Sequence, residues 1–366
     1  MKIFHRFAPR RSAWWYAGII LSCCVAAAAS AATKPAPAPS SSIFRICPDA
    51  LDHSSSSIRS DDGRQTITVK LDGARCAIDF RLEGRPQFND DFTDLVSLSP
   101  GGFMRLDVKD DGERRQLTIE PGHDALNRAW KVNGHEAAYD DAARAWFAAF
   151  LVELDRRTAV GVDYRLPVLL RKGGVSAVLD ETGRMPSDYV RSVYYSKLAD
   201  ATQLSSDDVV RVLDQATSLK TNDYYASELL KHFGTAAGDA KVRSAKLRMI
   251  QSMSSDYYRA ESVKHIAGSG AEAQALIDAT ATIESDYYRS ESTAAILANP
   301  SLTEGDLLAI VKLTAPAKSD YYRSEMLRRV LAHRAANEAV RRAVLDATDG
   351  MSSYYREEVE RASARR

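Results

Sequence analysis

The chain has 366 residues, of which 45% are hydrophobic and 27% are charged, and its 49 basic side chains balance 49 acidic ones. This length is enough for two ordinary domains with a buried core. The composition excludes a collagen, a disulfide-rich mini-protein and a strongly charged disordered chain, and the lack of a basic excess argues against nucleic-acid binding.

Residues 1–32 have the layout of a secretory signal peptide. A basic start from Lys2 to Arg11 precedes an apolar stretch at 13–25, and small residues follow up to Ala32. The uncharged stretch 13–32 is also long enough to span a membrane as an uncleaved anchor. We expect an exported, periplasmic protein that touches the membrane only through this segment, if the segment is retained.

Residues 33–42 (TKPAPAPSSS) predict an extended tether between the signal and the folded part. Export leads to an oxidising compartment, where Cys47 and Cys76 would be the cysteines of the mature chain. We expect a disulfide that closes a loop of about thirty residues and contributes roughly 3 kcal/mol. Two buried free thiols are the alternative.

Residues 43–137 predict an antiparallel β domain. Apolar and polar residues alternate in four stretches that are joined in pairs by Asp-Gly turns. Shorter strands are predicted at 95–98 and 129–132. We expect five to seven strands in a meander with one packed face. The four alternating stretches are 65–71, 75–82, 103–109 and 114–120.

From Asp140 onward the apolar residues recur at helical spacing, first in residues 140–157. Residues 138–186 predict connecting helices, with a turn at Gly173–Gly174 before a helix at 175–181. No later stretch alternates as a strand. The predicted fold class is therefore α+β multidomain, with an antiparallel β-meander followed by an all-α, HEAT-like solenoid.

One phrase, close to Ser-Asp-Tyr-Tyr-Arg, recurs through residues 187–366 at a period of about 33. Its Asp falls at 188, 223, 256, 286 and 320, and Ser353 replaces it in the last copy. A period in this range indicates about five stacked helix pairs. Each phrase should open the second helix of a pair, with Ser or Asn as the cap and Asp paired with Arg three residues later.

The phrase Ser-Asp-Tyr-Tyr-Arg-Ser-Glu, behind a strand-rich region that contains Ser99–Phe103 (SPGGF), resembles a group of bacterial exported proteins. Their C-terminal parts are similar to HEAT-type α-solenoids. The resemblance covers roughly residues 90–366 and implies the solenoid fold. It implies no particular activity, although solenoids as a class are typical of scaffolds and protein-binding modules.

The paired tyrosines allow two interpretations. They are either a stacked ladder that holds the repeats together or an aromatic stripe that binds a peptide or glycan. Because the first tyrosine of each pair comes three residues before a small core position, we expect it to point inward and the second to line a groove. The candidate binding residues are therefore Tyr225, Tyr258, Tyr288, Tyr322, Arg259, Arg289 and Arg323.

We find no catalytic, metal-binding or cofactor-binding motif in the sequence. His232, His265 and His333 are interpreted as residues of a solvated helix face. The main hypothesis is a non-catalytic exported scaffold that binds another envelope protein along its repeats. Two alternatives are binding of a glycan or peptidoglycan fragment by the tyrosine stripe, and a hydrolase without a motif whose site lies between sheet and solenoid.

Overall fold

The computed structural model describes residues 53–73, 75–233, 239–267 and 273–365. The predicted signal or anchor, the tether and Cys47 lie outside these residues. So do Gly234, Gly268 and Gly270, which the sequence predicts to end second helices or to begin loops. Cys76 is disulfide-bonded. None of the described helices combines the length and apolar character that crossing a bilayer requires.

The N-terminal part is a seven-stranded antiparallel sheet with the strand order β1-β2-β3-β6-β7-β8-β9, and β4 and β5 form a separate two-stranded ribbon. The predicted meander is confirmed. The strands are β1 (His53–Asp61), β2 (Arg64–Asp72), β3 (Cys76–Gly84), β4 (Pro86–Phe88), β5 (Leu95–Leu98), β6 (Phe103–Asp110), β7 (Glu113–Pro121), β8 (Leu126–Val132) and β9 (His135–Ala137).

One face of the sheet packs against α1 (Asp141–Thr158) and α2 (Val162–Thr182). The rings of Phe80 in β3 and Phe150 in α1 lie 6.2 Å apart, and the Tyr164 hydroxyl of α2 donates to the Gln65 side chain at 2.8 Å. Sheet and first helices therefore share one apolar core. Alternation of inward apolar and outward polar residues along each strand produces this arrangement.

Eleven further helices follow in the described part of the chain. They are α3 (Asp188–Ala201), α4 (Ser206–Ser218), α5 (Asp223–His232), α6 (Ala240–Ser252), α7 (Asp256–Ala267), α8 (Ala273–Ala281), α9 (Asp286–Leu297), α10 (Glu304–Lys312), α11 (Asp320–Ala332), α12 (Glu338–Asp346) and α13 (Ser353–Ala364). The predicted second helices begin where the recurring phrase places them, at α3, α5, α7, α9, α11 and α13.

The predicted turn at Gly173–Gly174 is present, because both glycines have non-helical backbone angles and two helical segments meet there across a kink within α2. Gly174 has φ +61°, a backbone conformation that residues with a side chain rarely adopt. α2 therefore consists of two helical halves that meet at these glycines. Its second half leads to Glu181 and so to the first repeat.

A carboxylate joins each repeat to the next. Asp256 Oδ2 accepts the backbone N–H groups of Glu284 and Ser285, at 3.0 and 2.7 Å, in the turn that precedes the next second helix. Asp188, Asp223, Asp286 and Asp320 make the equivalent contact to the turn that follows each of them. The recurring Asp therefore has a role between repeats that its position at a helix N-terminus alone does not predict.

The predicted Ser or Asn caps form in only some copies. Ser187 and Asn222 accept a backbone N–H with their side chains, whereas Ser285, Ser319 and Ser352 do not. In the latter copies the Ser backbone N–H donates to the Asp of the preceding repeat. A negative charge from Asp is present at the N-terminus of every second helix except α13, whereas capping by the Ser or Asn side chain is less regular.

Candidate functional site

Eleven tyrosines form one continuous row across the second helices, which we call the tyrosine ladder. Neighbouring ring centroids in this row lie 4.9 to 6.3 Å apart, most of them edge to face. Edge-to-face contact at this distance is favourable because the positive edge of one ring meets the negative face of another. In order along the row the members are Tyr189, Tyr225, Tyr224, Tyr258, Tyr257, Tyr288, Tyr287, Tyr322, Tyr321, Tyr355 and Tyr354.

The first tyrosine of each pair is the exposed one, so the predicted orientation was wrong. The exposed fraction is 45% to 62% for Tyr189, Tyr224, Tyr257, Tyr287, Tyr321 and Tyr354. The predicted binding residues Tyr225, Tyr258, Tyr288 and Tyr322 are half-buried instead. Helical side chains lean toward the N-terminus, and a residue in the first turn has no preceding turn beneath it, so the first ring extends beyond the helix end.

Each half-buried ring touches two exposed rings from successive repeats. Tyr288 lies 5.9 Å from Tyr257 of the preceding repeat and 5.0 Å from Tyr287 of its own. Two exposed rings therefore flank a less exposed ring, and we call each such group of three a notch, with the exposed rings as its walls and the central ring as its floor. The same three-ring arrangement occurs at Tyr189/Tyr225/Tyr224, Tyr224/Tyr258/Tyr257, Tyr287/Tyr322/Tyr321 and Tyr321/Tyr355/Tyr354.

The hydroxyl groups of the ladder are free for a ligand. Within the part of the chain that the structure describes, none of them hydrogen-bonds another residue, in contrast to the buried Tyr194 and Tyr195, whose hydroxyls donate to Asp155 and Gln215. The ladder therefore presents aromatic faces together with regularly placed hydrogen-bonding groups.

The predicted binding arginines lie below this surface. Arg289 is buried and donates to the backbone carbonyl of Ile283 at 2.6 Å, while it pairs with Asp286 at 3.0 Å. Arg259 pairs with Asp256 at 3.1 Å and reaches the carbonyl of Thr282 in the following turn at 2.9 Å. Their roles in the structure are thus intramolecular, and the predicted pairing with Asp is confirmed for both.

Arg323, the third predicted binding arginine, is half-buried and makes no corresponding pair with Asp320 among the described ion pairs. Its Nε atom is buried without a hydrogen-bond partner in the described part of the chain. Arg323 as a whole is therefore less exposed than the first tyrosine rings of the ladder.

A row of ion pairs runs beside the ladder. The residue four positions after most exposed tyrosines is Glu, which places it on the same helix face. Glu261 pairs with Lys264 at 2.5 Å, Glu228 with Lys231 at 2.6 Å, and Glu325 with Arg329 at 2.6 Å. Glu358 pairs with Arg328 and Arg361, whereas Glu291 makes no ion pair among the described residues. Most of the negative charge in this row is therefore balanced by neighbouring basic side chains.

A second cluster of titratable groups lies where α1, α2 and α3 meet. Asp155 is fully buried and accepts the Tyr194 hydroxyl and the Gly161 N–H. Burial raises the pKa of Asp155 to about 6, and the hydrogen bond from Tyr194 and the charge of Arg165 only partly offset that rise. Burial also raises the pKa of the Tyr194 hydroxyl.

Glu181 completes this junction. It pairs with Arg156 of α1 at 2.5 Å and with Arg165 at 2.7 Å. Burial would raise the pKa of Glu181, but the hydrogen bond from Arg156 and the charge of Arg165 outweigh that effect and lower it. These groups pair with one another, and all of them are buried except the half-buried Arg156, so we assign no reaction to them. Sequence reasoning missed this cluster because its members are far apart in the chain.

The space between sheet and helices is nearly filled. The cavity there, lined by residues such as Ile67, Phe80 and Tyr164, has a volume of about 10 Å³, close to the minimum for one water molecule. His333 is buried, with Nε2 3.0 Å from the Asn299 carbonyl oxygen, so its interpretation as a solvated residue was wrong. Among the described residues, no three His, Cys, Asp or Glu side chains cluster in a way that could hold a metal ion.

Comparisons with models of protein families, with curated proteins and with solved structures gave no match to this chain.

Proposed function

We propose that the protein is an exported, non-catalytic scaffold that binds an extended segment of another envelope protein along the tyrosine ladder. The observation that carries this proposal is the exposure of one tyrosine ring per repeat in an unbroken row. Tyrosine gives large contact area at a low cost in side-chain entropy and is enriched at interfaces. The basic and apolar N-terminal sequence supports export.

The form of the surface favours an elongated ligand over a compact one. Five notches of the same composition follow one another along the repeats. A ligand that occupies several notches gains binding free energy from each of them through the same kind of contact, as in other multivalent recognition. Stacked repeats are suited to such binding because they present a long continuous surface.

Site-specific photo-crosslinking in the full chain tests the proposal. A photo-reactive phenylalanine replaces Tyr257 in one variant and the exposed Ser244 of α6 in a matched control. We expect a discrete protein adduct from position 257 in envelope preparations and none from position 244. The proposal is wrong if both positions give the same products or if position 257 gives no protein adduct.

Binding of a glycan or peptidoglycan fragment is the second candidate. It is favoured by the free tyrosine hydroxyls and by the row of Glu carboxylates beside the rings, because both can hydrogen-bond sugar hydroxyls. Saturable binding of purified cell-wall fragments in the absence of protein, lost in Tyr257→Ala, would favour this candidate over the scaffold.

A further inference from the structure

We infer that the ladder binds uncharged, proline-rich segments in the polyproline II conformation, an inference that rests on the proposed function and narrows it. Each notch consists of three tyrosine rings whose centroids are about one ring width apart, for example 5.9 Å between Tyr257 and Tyr288. A proline ring is compact and apolar enough to pack on the central ring, beside the two exposed rings that flank it. Aromatic-lined grooves are a recurring way to bind proline-rich chains.

The spacing expected for notches on successive packed helices matches this conformation. Packed helices lie about 8–10 Å apart, so each repeat advances the ladder by about that distance. A polyproline II chain has three residues per turn and advances about 9 Å in one turn. Every third residue of such a chain therefore meets an equivalent notch, and one side chain enters per repeat.

Other peptide conformations fit this surface less well. Strand addition requires free backbone groups at a sheet edge, whereas the turn amides beside the ladder already donate to carboxylates, as Ser285 does to Asp256. An α-helix is about 10–12 Å wide and is too broad for a notch whose walls both contact one central ring. Polyproline II has no internal hydrogen bonds, so its carbonyl groups are free to accept from the tyrosine hydroxyls.

The charges beside the ladder specify a neutral ligand. Glu228, Glu261 and Glu325 are each paired with a Lys or Arg of the same helix. A strongly acidic or basic segment would have to break these pairs without gaining a complementary field. A segment of Pro and Ala is uncharged and has small apolar side chains, so it matches both the balanced charge and the size of the notches.

Fluorescence anisotropy with the full chain and a labelled Pro/Ala peptide tests the inference. The peptide has a proline at every third residue and is about fifteen residues long, which spans five notches. We expect saturable binding that tightens with each added turn. The double variant Tyr257→Ala/Tyr287→Ala should weaken it about tenfold or more. Leu345→Ala, which changes an exposed apolar residue of α12 away from the ladder, should leave it unchanged.

A second double variant shows whether a loss of binding comes from the missing rings or from misfolding. Tyr257→Phe/Tyr287→Phe keeps both rings and removes only the hydroxyls, so it should fold and bind the peptide several-fold more weakly. Unchanged affinity in both the Ala and the Phe variants would overturn the inference, because the peptide would then bind elsewhere.

Two further probes separate failure of the inference from failure of the proposed function. Equal, tyrosine-dependent binding of a proline-free Gly/Ser peptide of the same length would overturn the inference and leave the scaffold function standing. Binding of a neutral β-linked N-acetylglucosamine oligomer together with no binding of either peptide would overturn both.

Discussion

Asp256 and Ser285 lie 29 positions apart in the chain, yet the carboxylate of the first accepts the backbone N–H of the second at 2.7 Å. A hydrogen bond to a charged acceptor contributes about 1.5–3 kcal/mol, and its loss leaves a partly buried amide without a partner. We expect Asp256→Ala to lower the free energy of unfolding by about 2–4 kcal/mol. Urea denaturation checks this, with Asp278→Ala on the exposed face of α8 as the control. An equal effect of both substitutions would contradict the role given to Asp256.

The two tyrosines of a pair should differ in what they contribute to stability. Tyr258 is half-buried and packs against the helical core, whereas Tyr257 is 45% exposed. We expect Tyr258→Ala to destabilise the protein by about 2–3 kcal/mol and Tyr257→Ala by roughly 1 kcal/mol or less. Thermal unfolding of the two variants measures the difference. The reverse order would show that the first ring, rather than the second, forms the floor of the notch.

The buried carboxyl of Asp155 should make stability depend on pH. Because burial raises its pKa to about 6, above the ordinary value of about 4, the folded state holds the proton over that interval and the unfolded state does not. The stabilisation that this bound proton gives the folded state is complete below pH ~4 and is lost as the pH rises through ~6. Its loss lowers the free energy of unfolding by up to about 3 kcal/mol.

Asp155→Asn isolates this effect because the amide keeps the size of the side chain and does not titrate. The difference in unfolding free energy between Asp155→Asn and the unchanged protein should shift by that amount, in favour of the variant, between pH ~4 and ~7. Glu181, whose pKa is lowered, loses its stabilising contribution in more acidic solution in both proteins and cancels in the comparison. If the difference in unfolding free energy between the two proteins does not vary with pH, the pH dependence assigned to Asp155 is wrong.

Gly161 allows a loop from the sheet to approach α2 closely. A Cβ atom at this position would lie 2.5 Å from the Phe92 ring, which belongs to the loop between β4 and β5. We expect Gly161→Ala to destabilise the protein by about 1–3 kcal/mol through overpacking. Gly305→Ala is the matched control, because its Cβ would meet its nearest neighbour at an ordinary 3.7 Å, and Ala is the better helix former. Calorimetry should show a lower melting temperature for the first variant and an unchanged or higher one for the second.

The sequence predicts the strands and second helices well because their signals are local. Alternation sets β2, β3, β6 and β7, and the recurring phrase sets the starts of the helices from α3 to α13. β1 was missed because its run of serines has no apolar alternation, and its residues from Ser55 onward are exposed. β1 is defined as a strand by its hydrogen-bonded pairing with β2, and the sequence of β1 alone carries no signal for that contact.

The candidate site was predicted less completely. The recurrence identifies the tyrosines, but their exposure depends on the neighbouring repeat, which supplies the second wall of each notch. The carboxylate of Asp188 and its equivalents also act on residues about one repeat away. Contacts of that kind have no signature within a single copy of the phrase, so helical periodicity alone placed the wrong ring outward.

The link from each Asp to the turn of the following repeat gives the stack a direction. Every joint is built from the same two parts, a carboxylate supplied from the N-terminal side and backbone amides received on the C-terminal side. A repeat duplicated or deleted in the interior would therefore restore the same joint at its new border. The number of rings in the tyrosine ladder can therefore change in whole repeats during evolution, while the geometry of each repeat stays constant.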